Sequence, residues 1–354
     1  SGQAAKRCDT SMRPSYPTGI SSLPLIRLSL LVPFVETLRA RGIDAAGAFR
    51  DQALPVESVY AADTFLPAQV IYSLLEALAE AADDAYLAVT VGESLDLSSW
   101  PVFAEAAAAA TSLGDFFNRF VIAAGQHATS VSWELKTDGS HALFRSRRVF
   151  EPTMVPAQAD AFYAGLFVNI FRRASGIEWV PRQVAVTVCD LSVVPRQYQD
   201  LMLRQGDSGG PSIRFPIHWL ILPFESERHP KTEQVSLAPP PRALVSSIRE
   251  SLLPYADRPD LTVAQAASVC GHSERNLRRW LHAAGTSLSR EIAELRREKA
   301  CDLLSTSTHS ISDVAERLGF SSPSVFSRWF KQQTGSCLLY TSDAADDLLQ
   351  VEIS

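Results

Sequence analysis

The chain of 354 residues is 46% hydrophobic and 20% charged, with 17 glycines and 21 prolines. That composition suits about two packed domains and excludes wholesale disorder. No apolar run reaches the roughly 18–20 residues needed to span a bilayer, and the start lacks the apolar core of a secretory signal. Five scattered cysteines (Cys8, Cys189, Cys270, Cys301, Cys337) form no metal-ligand spacing, so a reducing cytoplasm is the expected location and no metal or cofactor is expected. The net charge of −6 averages over a gradient. Residues 1–243 are −4, residues 244–336 are +2 with 12 bases against 10 acids, and the last 18 residues are −4. A nucleic-acid site needs positive charge on one face, not over the whole chain.

In chain order, Leu30–Arg41 and Pro67–Ala82 carry apolar residues at helical spacing (Leu31, Phe34, Val35, Leu38; Val70, Leu74, Leu75, Leu78). Val102–Ser112 and Leu113–Ala124 also read as helices. The period then changes: Ser130–Leu135 and His141–Phe150 are predicted as paired strands around the turn Thr137-Asp138-Gly139. A helix over Ala157–Arg173 and strands over Gln183–Cys189 and Ile213–Leu222 complete an α+β domain. The polar stretch from Glu225 and the run Pro239-Pro240-Pro241 place a linker at 225–243, because three prolines cannot continue a helix.

Beyond the linker the pattern is all helical and repeats. With Val263 aligned on Ile311, Ala267 matches Ala315, Gly271 matches Gly319 and Ser273 matches Ser321. After one inserted residue, Leu277 meets Phe326, Arg279 meets Arg328, Trp280 meets Trp329 and Leu281 meets Phe330. Each copy is a helix, a glycine-containing turn and a second helix, which makes two helix-turn-helix units in tandem. Thr262-x-x-Gln265 and Ser310-x-x-Asp313 resemble capping boxes, and Ser273 is placed to cap the second helix of the first copy.

In such a unit the second helix enters the major groove and its first residues meet base edges. In the first copy that helix spans Ser273–His282 and displays Arg275, Asn276, Arg278 and Arg279, while Leu277, Trp280 and Leu281 form its core stripe. Arginine pairs bidentately with guanine and asparagine with adenine, each worth ~1–3 kcal/mol of discrimination. In the second copy, Ser322–Gln332, the expectation is that Val325, Phe326, Trp329 and Phe330 pack, leaving Ser322, Ser324, Ser327, Arg328 and Lys331 for DNA. Ser287–Leu304 reads as one helix about 27 Å long, which would hold the two units apart on successive major-groove segments about 34 Å apart.

Residues 311–335, from Ile311-Ser-Asp-Val-Ala-Glu-Arg-Leu-Gly-Phe320 through Arg328-Trp-Phe-Lys331 to Thr334-Gly335, closely resemble the second helix-turn-helix of the AraC/XylS family of bacterial transcription regulators. Arg296, Ala300, Leu303 and Leu304 match that family's Arg-x3-Ala-x2-Leu-Leu pattern. The region from Leu31 to about Phe224 is similar to the family's arabinose-binding sensor type. The resemblance implies an α+β N-terminal sensor domain followed by an all-α tandem helix-turn-helix DNA-binding domain. It divides the chain into a flexible N-terminus (1–24), an effector-sensing and dimerisation domain (25–224), the linker (225–243) and the DNA-binding domain (244–336). It implies double-stranded DNA and a small-molecule effector as partners, RNA polymerase if the protein is an activator, and a homodimer, with no membrane and no enzymatic activity. The family continues past Thr-Gly with a Ser-Pro and a Tyr-Arg that begin a closing helix. Here Cys337–Asp347 instead resemble a translated sequencing-adaptor sequence, so 337–354 are expected to be a non-native tail.

The sensor half carries no Gly-x-Ser-x-Gly, His-Glu-x-x-His, P-loop or dinucleotide-binding signature. Gly206-Asp-Ser-Gly-Gly210 reads as a loop, and His127 and His141 as strand-end residues. Trp100, Phe103, Phe116, Phe117, Phe120, Trp133, Phe144 and Phe150 could line an apolar pocket, with most of them expected in the core. Two other arrangements stay open: a ligand-independent DNA-binding module whose N-terminal half only dimerises, and an enzyme fused to a DNA-binding domain. The latter, in its methyl-accepting form, needs a cysteine cluster that the scattered cysteines do not supply.

Overall fold

The computed structural model describes residues 20–97, 100–175, 179–224, 237–258, 260–306 and 310–334; most of the expected linker and the whole of 337–354 lie outside them. The described part opens with two short antiparallel strands, β1 (Leu25–Arg27) and β2 (Phe65–Pro67), which enclose α1 (Val32–Ala40) and α2 (Ala46–Arg50). Four helices follow: α3 (Ala68–Ala81), α4 (Leu87–Ser94), α5 (Pro101–Ala107) and α6 (Leu113–Ala124). Proline stands in the first turn of α1 and α5, where its missing N–H has no helical partner to lose. Ser112 caps α6 by accepting the Asp115 N–H.

The hairpin of β3 (Val131–Thr137) and β4 (His141–Arg148) turns through Gly139 at φ +71°, with the Asp138 carboxylate accepting from the His141 N–H. Then come α7 (Ala157–Ser175), β5 (Ala185–Val188), β6 (Met202–Gln205) and β7 (Ser212–Pro216). The five strands order as β3-β4-β7-β5-β6, antiparallel except for the β5–β6 pair. The expected strand over 213–222 is cut to Ser212–Pro216. Pro216 ends the ladder, and Ile217–Ile221 wind into a 3₁₀ turn that buries Trp219. The expected helix over 102–112 stops at Ala107.

The inward face of the sheet carries Trp133, Ala142, Phe144, Ile213 and Phe215, all buried against α6 and α7. The inward register of β4 continues through Ser146 to Arg148, whose side chain is 3% exposed. Its guanidinium donates to Asp160 Oδ1 of α7 at 2.5 Å, to the Tyr72 hydroxyl at 3.1 Å and to the Ser208 carbonyl at 2.9 Å. Asp160 Oδ2 accepts the Cys189 N–H at 2.9 Å. A desolvated ion pair persists only when its remaining groups are satisfied in this way. Helices α4 and α7 cross at Gly92 and Gly165: a Cβ on Gly165 would lie 2.2 Å from the Val89 carbonyl oxygen, and one on Gly92 2.2 Å from that of Phe162.

The C-terminal part contains α8 (Leu244–Leu252), α9 (Val263–Val269), α10 (Glu274–Ala283), α11 (Leu288–Thr306), α12 (Ile311–Arg317) and α13 (Pro323–Thr334). One apolar cluster runs from the N-terminal half through Ile248, Leu252, Ala267, Leu277 and Leu281 to Leu295. Polar contacts cross the same boundary. Leu23 N–H donates to Ser247 Oγ at 2.8 Å, Arg258 reaches the Ala53 carbonyl at 2.7 Å, and the buried Arg27 holds the Ala238 carbonyl at 2.5 Å. A second, separate cluster holds Ala300, Val314, Ala315, Leu318, Phe326 and Phe330.

Candidate nucleic-acid interface

The two repeats form the same local structure for the same reasons. Thr262 and Ser310 each close a reciprocal capping box, with Gln265 and Asp313, at the start of the first helices α9 and α12. Gly271 and Gly319 sit at the turns with φ +69° and +79°, a conformation that costs other residues strain. Ser273 Oγ then accepts the Asn276 N–H, and Ser322 Oγ the Val325 N–H, each at 3.3 Å, which starts the second helices α10 and α13.

On α10 the buried stripe is Leu277 and Leu281, and on α13 it is Phe326 and Phe330. Trp280 and Trp329 are half-buried against their clusters. Trp280 meets His272 edge-on at 4.9 Å, and Trp329 meets Phe320 at 4.9 Å. Burial depresses the His272 imidazole below its ordinary value and pushes the Cys270 thiol up to about 12, so both act as packing groups.

Arg275, Arg278 and Arg279 are exposed and Asn276 is half-buried, while Ser324, Arg328 and Lys331 are exposed and Ser322 and Ser327 are half-buried. One expectation fails. Val325 does not pack; it is 42% exposed. The stripe of each unit follows i, i+3, i+4 from Leu277 and from Phe326, and the residue just before the first member points about 100° away from it.

Ion pairs and hydrogen bonds engage most of the remaining bases, Arg290 and Lys299 of α11 being outside this set. Arg249 bridges Glu291 and Glu298, Arg258 holds Asp260, Arg297 holds Glu294, and Arg317 lies 3.7 Å from Asp257. Arg296 donates to the carbonyls of Arg258 and Leu261. No ion pair among the described residues engages Arg275, Arg278, Arg279, Arg328 or Lys331. The bases held by acids or carbonyls are thus distinct from those displayed on the two second helices. Helix α11 joins the units: Ser287 caps it, Leu288, Ile292 and Leu295 pack into the first cluster, and Ala300, Leu303 and Leu304 pack into the second.

In the N-terminal half, the aromatic set proves to be mutual core. Trp100, Phe103, Phe116, Phe117, Phe120, Trp133 and Phe144 are buried, with ring centroids such as Phe117–Phe144 only 4.4 Å apart. Phe150 alone is half-buried, stacked on Tyr72. The Gly206–Gly210 loop straps onto β4, where the Arg148 N–H donates to the Gly209 carbonyl. No group of three or more His, Cys, Asp or Glu among the described residues could hold a metal ion, and no described helix is long and apolar enough to cross a membrane. Sequence reasoning did not single out Arg27, Arg148 or Asp160. The available signal was a charge at the inward register of β4, two residues beyond Ser146.

Two family models match the chain. One, the arabinose-binding N-terminal domain of AraC transcription regulators, matches residues 42–204, and a helix-turn-helix domain matches 257–339. The chain is 31% identical over 140 residues to the ornithine utilization regulator of Pseudomonas aeruginosa; the match takes in 34% of this chain and 40% of that protein. Among solved structures it is similar to the transcriptional regulator CdpR from Pseudomonas aeruginosa (19% identity, TM-score 0.36, 87% of this chain and 96% of that one). It is also similar to the C-terminal domain of AraT, a response regulator from Geobacillus stearothermophilus (29% identity, TM-score 0.24, 26% and 78%).

Proposed function

We infer how this protein works from the family to which it belongs, the AraC family of DNA-binding transcription regulators, in its form with an arabinose-binding-type N-terminal domain. In our reading, residues 25–224 sense a small-molecule effector and dimerise, 225–243 link, and 244–336 read duplex DNA in the cytoplasm. The protein acts as an activator in contact with RNA polymerase. Arg275, Asn276, Arg278 and Arg279 would serve the first half of a site, and Ser322, Ser324, Ser327, Arg328 and Lys331 the second.

The observation that carries this reading is the set of exposed bases on α10 and α13 that no acid among the described residues neutralises, while Arg249, Arg258, Arg297 and Arg317 of the same region lie against acids. Phosphate contacts release counterions, so affinity for duplex DNA should fall with salt with a log–log slope of roughly −0.9 per neutralised phosphate. Filter binding of the full chain at increasing salt tests it; an affinity that does not move with salt overturns it. Arg279→Ala should relax preference at one or two base positions, at ~1–3 kcal/mol, read by comparing sites selected by mutant and parent.

The closed aromatic core supports a second reading, in which the N-terminal half only dimerises. Thermal-shift screening of the full chain against metabolites separates the two: a sensor gains stability with one compound class, and a dimeriser with none.

A further inference from the structure

We propose that Val325 reads the 5-methyl group of a thymine, making it a specificity-determining residue of the second unit; this rests on the DNA-binding reading above. Val325 is a branched apolar side chain left 42% exposed, while its neighbour Phe326 is fully buried. The side chain leaves 42% of its surface to solvent, and β-branching slightly disfavours the helix.

Its position is defined by the cap. The Val325 N–H closes onto Ser322 Oγ at 3.3 Å, as the Asn276 N–H closes onto Ser273 Oγ at 3.3 Å in the first unit. Each is the third residue after its cap and directly precedes the first buried residue of its helix, Phe326 or Leu277. The two are therefore equivalent positions in the first turn, the end that a recognition helix presents to base edges. At that position one unit displays an amide and the other displays methyl groups. Arg328 stands three residues on and shares the face, exposed and without an ion pair among the described residues. In the major groove the apolar feature of the base edges is the thymine methyl, whereas guanine and adenine offer acceptors and donors. Phosphate offers valine nothing. A Val–Arg pair at i, i+3 thus fits a thymine close to a guanine.

The test uses the full chain. Sites are selected from a random duplex library, and the half read by α13 is identified as the positions whose preference Arg328→Ala loses. Each thymine in that half is then replaced by deoxyuridine, which lacks only the methyl. One replacement should weaken binding by about fourfold, the equivalent of one methyl group's burial at ~0.8 kcal/mol. Val325→Ala should bind the thymine and uracil sites alike, with an unchanged melting temperature. The proposal is overturned if no thymine-to-uracil replacement changes affinity, or if Val325→Ala keeps the parent's discrimination. It is equally overturned if Val325→Ser lowers the melting temperature and weakens binding to every sequence alike, since Val325 would then be a packing residue. A parent chain that selects no sequence overturns the DNA-binding reading itself, and this proposal with it.

Discussion

Replacing Gly165 by alanine sets two effects of opposite sign against each other at the α4–α7 crossing. Helix propensity favours the change: alanine in a helix interior is better than glycine by about 1 kcal/mol. Geometry opposes it. The new methyl would lie 2.2 Å from the Val89 carbonyl oxygen and 3.0 Å from the Glu93 nitrogen, and both are main-chain atoms that cannot rotate away. The helices would have to part by about 1 Å while Val89, Leu166 and Phe162 stay buried around them. Overpacking of this kind costs ~1–3 kcal/mol, and rigid backbone on the receiving side places it at the upper end, so the net loss is about 2 kcal/mol. Gly47 of α2 is the matched control: no heavy atom lies within 4 Å of its Cβ position. At roughly 2–4 °C per kcal/mol for a domain of this size, Gly165→Ala should melt about 4–8 °C lower than the parent. Gly47→Ala should melt level with it or up to about 4 °C higher. Thermal unfolding followed by near-ultraviolet circular dichroism reads both. A Gly165→Ala chain as stable as the parent would refute the close crossing.

Three further outcomes are expected. Asp160→Ala strands the buried Arg148 guanidinium and should cost ~3–5 kcal/mol in urea unfolding, against the near-zero effect of breaking a surface pair; a loss below about 1 kcal/mol contradicts the buried pair. The His127 imidazole is held from its ordinary 6.5 down to about 4 by burial and by the nearby Arg27 charge. Because the folded value is depressed, the unfolded chain binds the extra proton between those limits. Stability should then fall as pH drops from 6.5 towards 4, by up to about 1.4 kcal/mol per pH unit, and His127→Gln should flatten that slope; equal slopes for both chains would count against it. Ser310→Ala removes the reciprocal cap of α12 and should cost about 1 kcal/mol. The loss should appear as faster amide exchange in α12 and α13 and leave α3 and α7 unchanged.

The C-terminal repeat was legible because its signals are local: capping boxes, turn glycines and an i, i+3, i+4 stripe all lie within a dozen residues. Val325 was misread where the stripe was widened by one position, since apolar character alone does not say which side of a helix faces inward. In the N-terminal half the long helices and the β3–β4 hairpin could be read, but α4 could not, because Leu87-Ala-Val-Thr-Val91 has strand-like composition and becomes helical only against α7. Strands β1 and β2, three residues each, exist through pairing with each other across forty residues. The Arg148–Asp160 pair, twelve residues apart, is created by the sheet's register and the seat of α7, which no local pattern encodes.

Helix α11 has its first half rooted in the large apolar cluster and its second half in the small one, so it acts as a lever arm. Its 19 residues span about 28 Å. The part beyond Leu295, the last α11 residue in the large cluster, spans about 17 Å of that, and a bend of about 15° there would swing the far end by about 4 Å, more than the roughly 3.4 Å rise of one base pair. A small change of angle where α11 leaves the large cluster is therefore enough to displace the second helix-turn-helix unit by about the rise of one base pair while the first stays in place.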